Sequence, residues 1–357
     1  DELRRAMSFK RSDERMERVT AKLRERMDGR GIDSVTQEKI IQSIGSFALY
    51  GFPESHAISF ALIAYASCWL KVHHPAEFYA GLLNHQPMGF YSVNTLIQDA
   101  KRRNIRVLPV SCTLSGAETE VIDDFSIRLG LNRLNGLSAG TIGRLITERN
   151  RTAFVSLEDL LSRVKPTAKE KRLLAHAGAL NDLKEVAHRR QALWQAELPL
   201  HDDLIPASNM ETVLPAMSMG ERLTADFQTQ GATTGPHPMR LWRERHGNKT
   251  ILRARDLHIL PNGLPVAVAG LAICRQRPGT AKGHCFISLE DETGIANLFV
   301  KKETFHRLRL VITSEPFLLA RGVIQRTEGG QPTVFVKEIE PLPHTEAEHA
   351  ARSHDFH

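Results

Sequence analysis

The sequence predicts a multidomain α+β protein, helical through about residue 200 and β-rich after Ile251. Three observations carry that expectation. At 357 residues the chain exceeds an ordinary domain of about 100 to 200 residues, so more than one core is expected. Apolar residues recur at helical spacing early on, as at Met16, Val19 and Leu23, whereas after Ile251 their period falls to two. Between the two regimes, Pro206, Pro215, Pro236 and Pro238 punctuate a polar stretch.

The elements follow in order. An Arg-rich amphipathic helix opens the chain. Pro53 interrupts it before a helix over Glu54 to Val72, and Pro75 ends that helix before another through Leu82 and Leu83. A basic helix over Asn94 to Arg103 runs into strand-like Ile105 to Val110. From Ile127 to Leu198 short helices start at Ser138, at Ser156 with Asp159, and at Thr167 with Glu170, where side-chain oxygens can meet exposed helix N–H groups. Residues 201–250 read as a linker with one short helix. The runs Leu264 to Cys274, His284 to Leu289, Ile295 to Val300, Phe317 to Ile324 and Thr333 to Ile339 then supply about five strands, with a helix over Thr304 to Val311. That order matches the OB-fold, a small five-stranded Greek-key barrel. His344 to His357 is polar and His-rich, and is expected to be disordered.

Lys and Arg number 47 against 41 Asp and Glu, and the net charge of +6 favours a polyanionic partner. Cys68, Cys112, Cys274 and Cys285 are scattered, with no C-x-x-C pair, so reduced thiols in the cytoplasm are the default. Neither they nor His73, His74 and the tail histidines stand at ligand spacing, so no metal site is expected. The longest apolar stretch, Ile58 to Val72, is interrupted by Ser59, Ser67 and Lys71 and is shorter than the roughly 20 residues that span a bilayer. It reads as a buried helix, with no membrane partner. The chain has no leader pattern and is expected to begin mid-protein.

Gly51-Phe52-Pro53-Glu54-Ser55-His56-Ala57, Phe60-Ala61-Leu62, Tyr65, Trp69-Leu70-Lys71 and His74-Pro75-Ala76-Glu77-Phe78 together resemble the fingers of bacterial DNA polymerase III alpha subunits, the C family of DNA polymerases. Leu3-Arg4-Arg5-Ala6-Met7, Phe9-Lys10, Asp226 and Gly235-Pro236-His237-Pro238 are similar to the same family. The run from Asn84 to Ser92, and the ending Ser353 to His357 directly after the barrel, resemble its error-prone ImuC type and imply a natural end.

The resemblance implies polymerase fingers over 1–112, a tandem helix-hairpin-helix DNA-binding region over 113–200, the linker over 201–250, the OB domain over 251–343 and a tail over 344–357. It also implies a DNA-directed DNA polymerase when full length, serving translesion synthesis and damage-induced mutagenesis. In that family the carboxylates that hold Mg²⁺ lie in a palm domain upstream. No catalytic residue is therefore assigned here, and the piece alone is expected to be inactive.

Arg4 and Arg5, with Lys10, are implied to face the incoming dNTP, since a planar guanidinium meets phosphate oxygens bidentately. Ser55 and His56 stand where a helix start could meet phosphate or sugar, although capping the helix is the simpler use. Leu134-Asn135-Gly136-Leu137-Ser138 resembles the first of two helix-hairpin-helix units. Gly136 permits a tight turn that aims N–H groups at a phosphate oxygen, Ser138 replaces the usual second glycine, and Arg144, Arg149 and Arg151 add charge. A second, more degenerate unit is expected around Leu173 to Leu180 with Gly178, and a purely structural hairpin remains open.

In the barrel, Phe286, Phe299, Phe317 and Phe335 could stack on bases, but strand alternation is expected to make most of them core. Arg275, Arg277, Lys282, Lys301 and Lys302 are the better candidates for tracking single-stranded DNA. Gln195, Leu198 and Leu200 resemble a sliding-clamp peptide, for which a plain helix end is the simpler account. Primer-template DNA and mutasome subunits of the ImuA and ImuB type are the implied partners. A non-catalytic DNA-binding scaffold and an RNA-binding barrel are the alternatives.

Overall fold

The computed structural model describes residues 13–49, 54–89, 91–198, 214–247, 250–326, 330–343 and 354–356. They fall into two units, Asp1–Trp69 and Leu70–His357. In the first, helix α1 (Asp13–Asp28) is followed by α2 (Ser34–Leu49). Asp33 closes the turn between them, its Oδ1 accepting from Thr36 N at 2.9 Å, and Arg24 Nη2 meets Glu38 Oε2 at 2.9 Å. Helix α3 (Glu54–His73) begins in this unit.

The expectation of a buried helix fails for α3: Ile58, Phe60, Leu62, Ile63 and Tyr65 are each more than half exposed. A helix that is apolar all round needs covering on every side, and nothing in its own pattern selects one face to bury. Among the described residues no helix is long and apolar enough to cross a membrane.

The second unit starts its helical part with α4 (Pro75–Asn84) and α5 (Val93–Arg102). Pro75 sits in the first turn of α4, where its missing N–H costs nothing. A three-stranded sheet follows, with β1 (Arg106–Leu108) parallel to β3 (Ser126–Arg128) and β2 (Glu120–Asp123) antiparallel to it. Then come α6 (Ala139–Arg151), α7 (Leu157–Val164), α8 (Ala168–Ala177) and α9 (Arg189–Glu197). The expected caps form: Ser138, Ser156 and Thr167 accept from Thr141 N, Asp159 N and Glu170 N. One apolar core runs from Tyr79 and Ile97 through Ile127, Leu145 and Leu160 to Leu174, so residue 112 does not separate two cores.

The barrel consists of β4 (Pro265–Gln276), β5 (Cys285–Glu290), β6 (Ile295–Val300), β7 (Phe317–Gln325) and β8 (Thr333–Pro341). Helices α12 (Lys302–Arg307) and α13 (Arg309–Ser314) lie between β6 and β7 in the chain. Pairing runs β5-β6-β8-β7-β4 and closes through β4–β5, with β6 and β8 parallel and the other pairs antiparallel. Val268, Ile287, Leu298, Ala320 and Val334 fill the interior. At the irregularity between Arg321 and Gly322 the backbones of β7 and β8 come so close that a Cβ on Gly322 would stand 2.2 Å from Phe335 O, so only glycine fits.

Two expectations need correction here. The described part of the supposed linker holds two helices, α10 (Met219–Gln230) and α11 (Pro238–His246). Leu223, Phe227, Met239 and Trp242 pack on Ala269, Leu271, Ile273, Phe317 and Leu319, which covers the outer side of β4 and β7. This explains why β4 is buried almost continuously rather than alternately. The supposed disordered tail contains strand β9 (His354–Phe356), which pairs parallel with Cys274–Gln276.

Buried polar groups join these parts. Glu290 of β5, fully buried, accepts from Arg102 Nη2 at 2.9 Å and from Thr95 Oγ1 at 3.3 Å, both on α5. Burial pushes its carboxyl up despite Arg102. His237 Nδ1 accepts from Met239 N, so the neutral ring carries its hydrogen on Nε2, 3.9 Å from Glu290. Burial, with Arg102, Lys101 and Arg243 adding, pushes that imidazole down to about 3. The loop before α11 is held from both sides: Thr233 N donates to Asn94 Oδ1, Gln98 donates to Thr233 O, and Thr233 Oγ1 donates to Asp226 Oδ2 at 2.6 Å.

Asp226 of α10 also accepts from Arg189 Nη1 at 2.7 Å, with both side chains buried. Removing one member of such a pair strands the other charge in a dry site. Arg189→Ala should therefore cost about 3 to 5 kcal/mol, read as a lowered denaturant midpoint; a change below about 1 kcal/mol, the surface-pair level, would contradict this packing.

Candidate nucleic-acid interface

The first hairpin forms as expected, with Gly136 at φ +103 and Ser138 capping α6. Ser138, at the start of the helix after the turn, is already engaged by a carboxylate. Glu170 Oε1 accepts from Ser138 N at 3.1 Å and from Ser138 Oγ at 2.7 Å, while Oε2 accepts from Thr167 N and Thr167 Oγ1, both at 2.9 Å. One carboxylate thus ties both hairpin turns. Burial opposes its charge, but the hydrogen bonds from Thr167 and Ser138 outweigh it and hold the carboxyl down at about 2.

The second turn is not at Gly178. It is Lys165-Pro166-Thr167 between α7 and α8, with Lys165 itself left-handed at φ 49, whereas Gly178 caps the far end of α8. Arg144 is committed internally, its Nε donating to Val164 O at 2.9 Å and its Nη2 to Thr141 Oγ1 at 2.8 Å. Arg149 donates to Cys112 O and Ser115 O; Arg151 is exposed beside Glu148.

On the barrel, parity along each strand sorts the side chains. Cys285, Ile287 and Leu289 point in, leaving Phe286 and Ser288 outside; Ala296, Leu298 and Val300 point in, leaving Asn297 and Phe299 outside. Register sets Phe286 opposite Phe299 and Phe299 opposite Phe335. The rings touch, with centroids 5.5 Å apart for the first pair and 4.7 Å for the second, and His284 adds a fourth ring 5.1 Å from Phe299. Two residues along, a polar row crosses the same three strands at Ser288, Asn297 and Thr333 and continues onto β7 at Gln325.

Both rows line a groove of about 640 Å³. Of the four phenylalanines, only Phe317 is buried; Phe286 is 41% exposed. The expectation that most of them are core is therefore corrected. The alternation that should have revealed this was present in Cys285–Leu289.

The basic candidates do not line that groove. Arg275 is buried, and its Nη2 donates to Glu315 O at 2.5 Å. Arg277 stacks over Phe305 at 4.5 Å, and the two arginines share a separate hollow of about 430 Å³ with Arg309. Lys282, Lys301 and Lys302 are exposed, Lys301 at the start of α12 and Lys302 beside Gly283.

Gln195 is inside helix α9 with Oε1 buried, while Leu198 is exposed just past its end. Ser55 and His56 fall in the first turn of α3. Arg4, Arg5, Lys10 and Leu200 lie outside the described residues. Among the described residues no group of three or more His, Cys, Asp or Glu could hold a metal ion.

Comparisons with known proteins agree with this geometry. Residues 104–192 match the helix-hairpin-helix motif, and residues 266–342 match the OB-fold nucleic acid binding domain. An error-prone DNA polymerase of Anaeromyxobacter sp. (strain K) is 42% identical over 373 aligned positions, covering all of this chain and 33% of that protein. The whole of this chain thus aligns with part of a protein named error-prone DNA polymerase. A second error-prone DNA polymerase, from Azoarcus sp. (strain BH72), is 40% identical over all of the chain, and one from Pseudomonas savastanoi pv. phaseolicola (strain 1448A / Race 6) is 39% identical over 92% of it. The chain spans about a third of the length of these error-prone DNA polymerases.

The Glu170 bridge has a pH signature. Because the folded carboxyl titrates below the ordinary value of 4.5, its stabilisation is complete above that value and is lost as the pH falls toward 2. Glu170→Gln should cost about 2 kcal/mol at pH 7 and should flatten the acid limb of a stability curve; an unchanged acid limb would show that the bridge contributes nothing.

Proposed function

We propose that this chain is the DNA-handling part of an error-prone DNA polymerase, used in translesion synthesis and damage-induced mutagenesis. The outward aromatic row on the barrel is the observation that carries the reading. Every base has a π face, so three adjacent rings make a platform for an unpaired template strand whatever its sequence. The hairpin region would hold primer-template duplex by its backbone, and Arg4, Arg5 and Lys10, with Ser55 and His56, would meet the triphosphate of the dNTP. Mg²⁺ chemistry would rest on groups other than the described ones. The setting would be the cytoplasm, with mutasome subunits as partners. A sliding clamp could take Gln195, Leu198 and Leu200 only if the last turn of α9 opened.

Phe299→Ala should weaken binding of a single-stranded oligonucleotide by about 1 to 3 kcal/mol, measured by fluorescence anisotropy, while a core check such as the thermal midpoint stays near that of the parent. Unchanged affinity would remove the barrel face from the reading. In the full-length enzyme, Arg4→Ala with Arg5→Ala should raise the dNTP KM or lower kcat, each lost charged bond costing about 1.5 to 3 kcal/mol. Wild-type values of both parameters would reject the dNTP assignment.

A further inference from the structure

The groove on the barrel is unusual for a polyanion site in what lines it. Its polar groups are the neutral side chains of Asn262, Gln276, Ser288, Asn297, Gln325, Gln331 and Thr333, and its one cation, among the described residues, is Arg326. That guanidinium is already committed, its Nη2 donating to Leu257 O at 2.9 Å and to His258 O at 2.7 Å. The cationic candidates Arg275 and Arg277 line the other hollow. A phosphate backbone laid in this groove would thus find few charged bonds.

A base would find more. The aromatic row and the polar row run side by side, two residues apart along β5, β6 and β8, which is about 7 Å. A base stacked on Phe299 therefore brings its edge over Asn297 and Thr333. Primary amides carry donors and an acceptor on one small group and hydroxyls carry both, the complement of the mixed pattern on a base edge. Asn297 is exposed, and among the described residues its side chain takes part in no hydrogen bond, which leaves its amide for a ligand.

We propose that this face recognises the edges of unpaired bases: the aromatic row holds the base by stacking, the row of Ser288, Asn297, Thr333 and Gln325 discriminates between bases, and the phosphates stay toward solvent. The proposal rests on the single-strand reading above and adds base selectivity to it.

The test uses the whole chain with four single-stranded DNA homopolymers of about 12 nucleotides, within the usual site size, and an abasic strand of equal length. Affinities should differ among the homopolymers by about three- to tenfold, the worth of one hydrogen bond, and the abasic strand should bind weakest. Asn297→Ala and, separately, Gln325→Ala should shrink that spread while the mean affinity moves by less than about threefold; Phe299→Ala should instead lower all four affinities together.

Equal affinities for the four, or a spread untouched by both polar substitutions, would overturn edge recognition while leaving the stacking platform standing. Full-strength binding of the abasic strand would overturn it as well, in favour of backbone contact. If the chain binds no single strand, the single-strand reading falls first and the edge proposal with it.

Discussion

A carboxylate taken out of water must find donors in the protein to replace it, and the joints of the second unit are built around that requirement. Glu170 gathers four donors from Ser138 and Thr167, and so fixes the two hairpin turns against each other. Asp226 takes Arg189 from α9 and Thr233 from the loop before α11. Glu290 reaches out of the barrel to Arg102 and Thr95 on α5. Hydrophobic contact alone would let these elements slide, since apolar packing has no direction. The buried acids supply direction, because each is satisfied in only one arrangement of its donors.

The arginines show the same economy from the other side. The basic excess of the sequence suggests charge displayed to a polyanion. Much of it is spent at home: Arg144, Arg149, Arg163, Arg243, Arg275 and Arg326 all donate to main-chain carbonyls. A guanidinium has five N–H donors in a fixed fork, which suits it to clasp loop and helix ends that lack partners. Such a group still carries its charge, but its short-range bonds are taken. Residue counts therefore say little about where a polyanion would sit.

Sequence pattern was most legible where period alone decides. Ile295–Val300 has the expected bounds, and the other barrel strands agree within two residues. For Phe286, Phe299 and Phe335 alternation gives the period but not the phase: Cys285, Ile287 and Leu289 take the inward positions, which leaves the phenylalanines outside. Pro238 made a helix look like a linker because proline at the first position of a helix is indistinguishable, in composition, from proline in a loop. Lys165 conceals the second hairpin in the sequence, because a left-handed residue is expected to be glycine. The role of Glu170 toward Ser138 spans 32 residues, and no local pattern encodes a contact of that kind. For α3 the helix was legible and its surroundings were not: burial belongs to whatever packs over a segment, not to the segment.

Strand β4 outruns its neighbour β7, which leaves it at Leu271, and β9 takes up the open side at Cys274–Gln276. A strand edge with free N–H and C=O groups is a template on which a second molecule can add its own backbone, the first step toward sheet-mediated self-association. By laying β9 there, the chain covers that template with three residues of its own, His354 to Phe356.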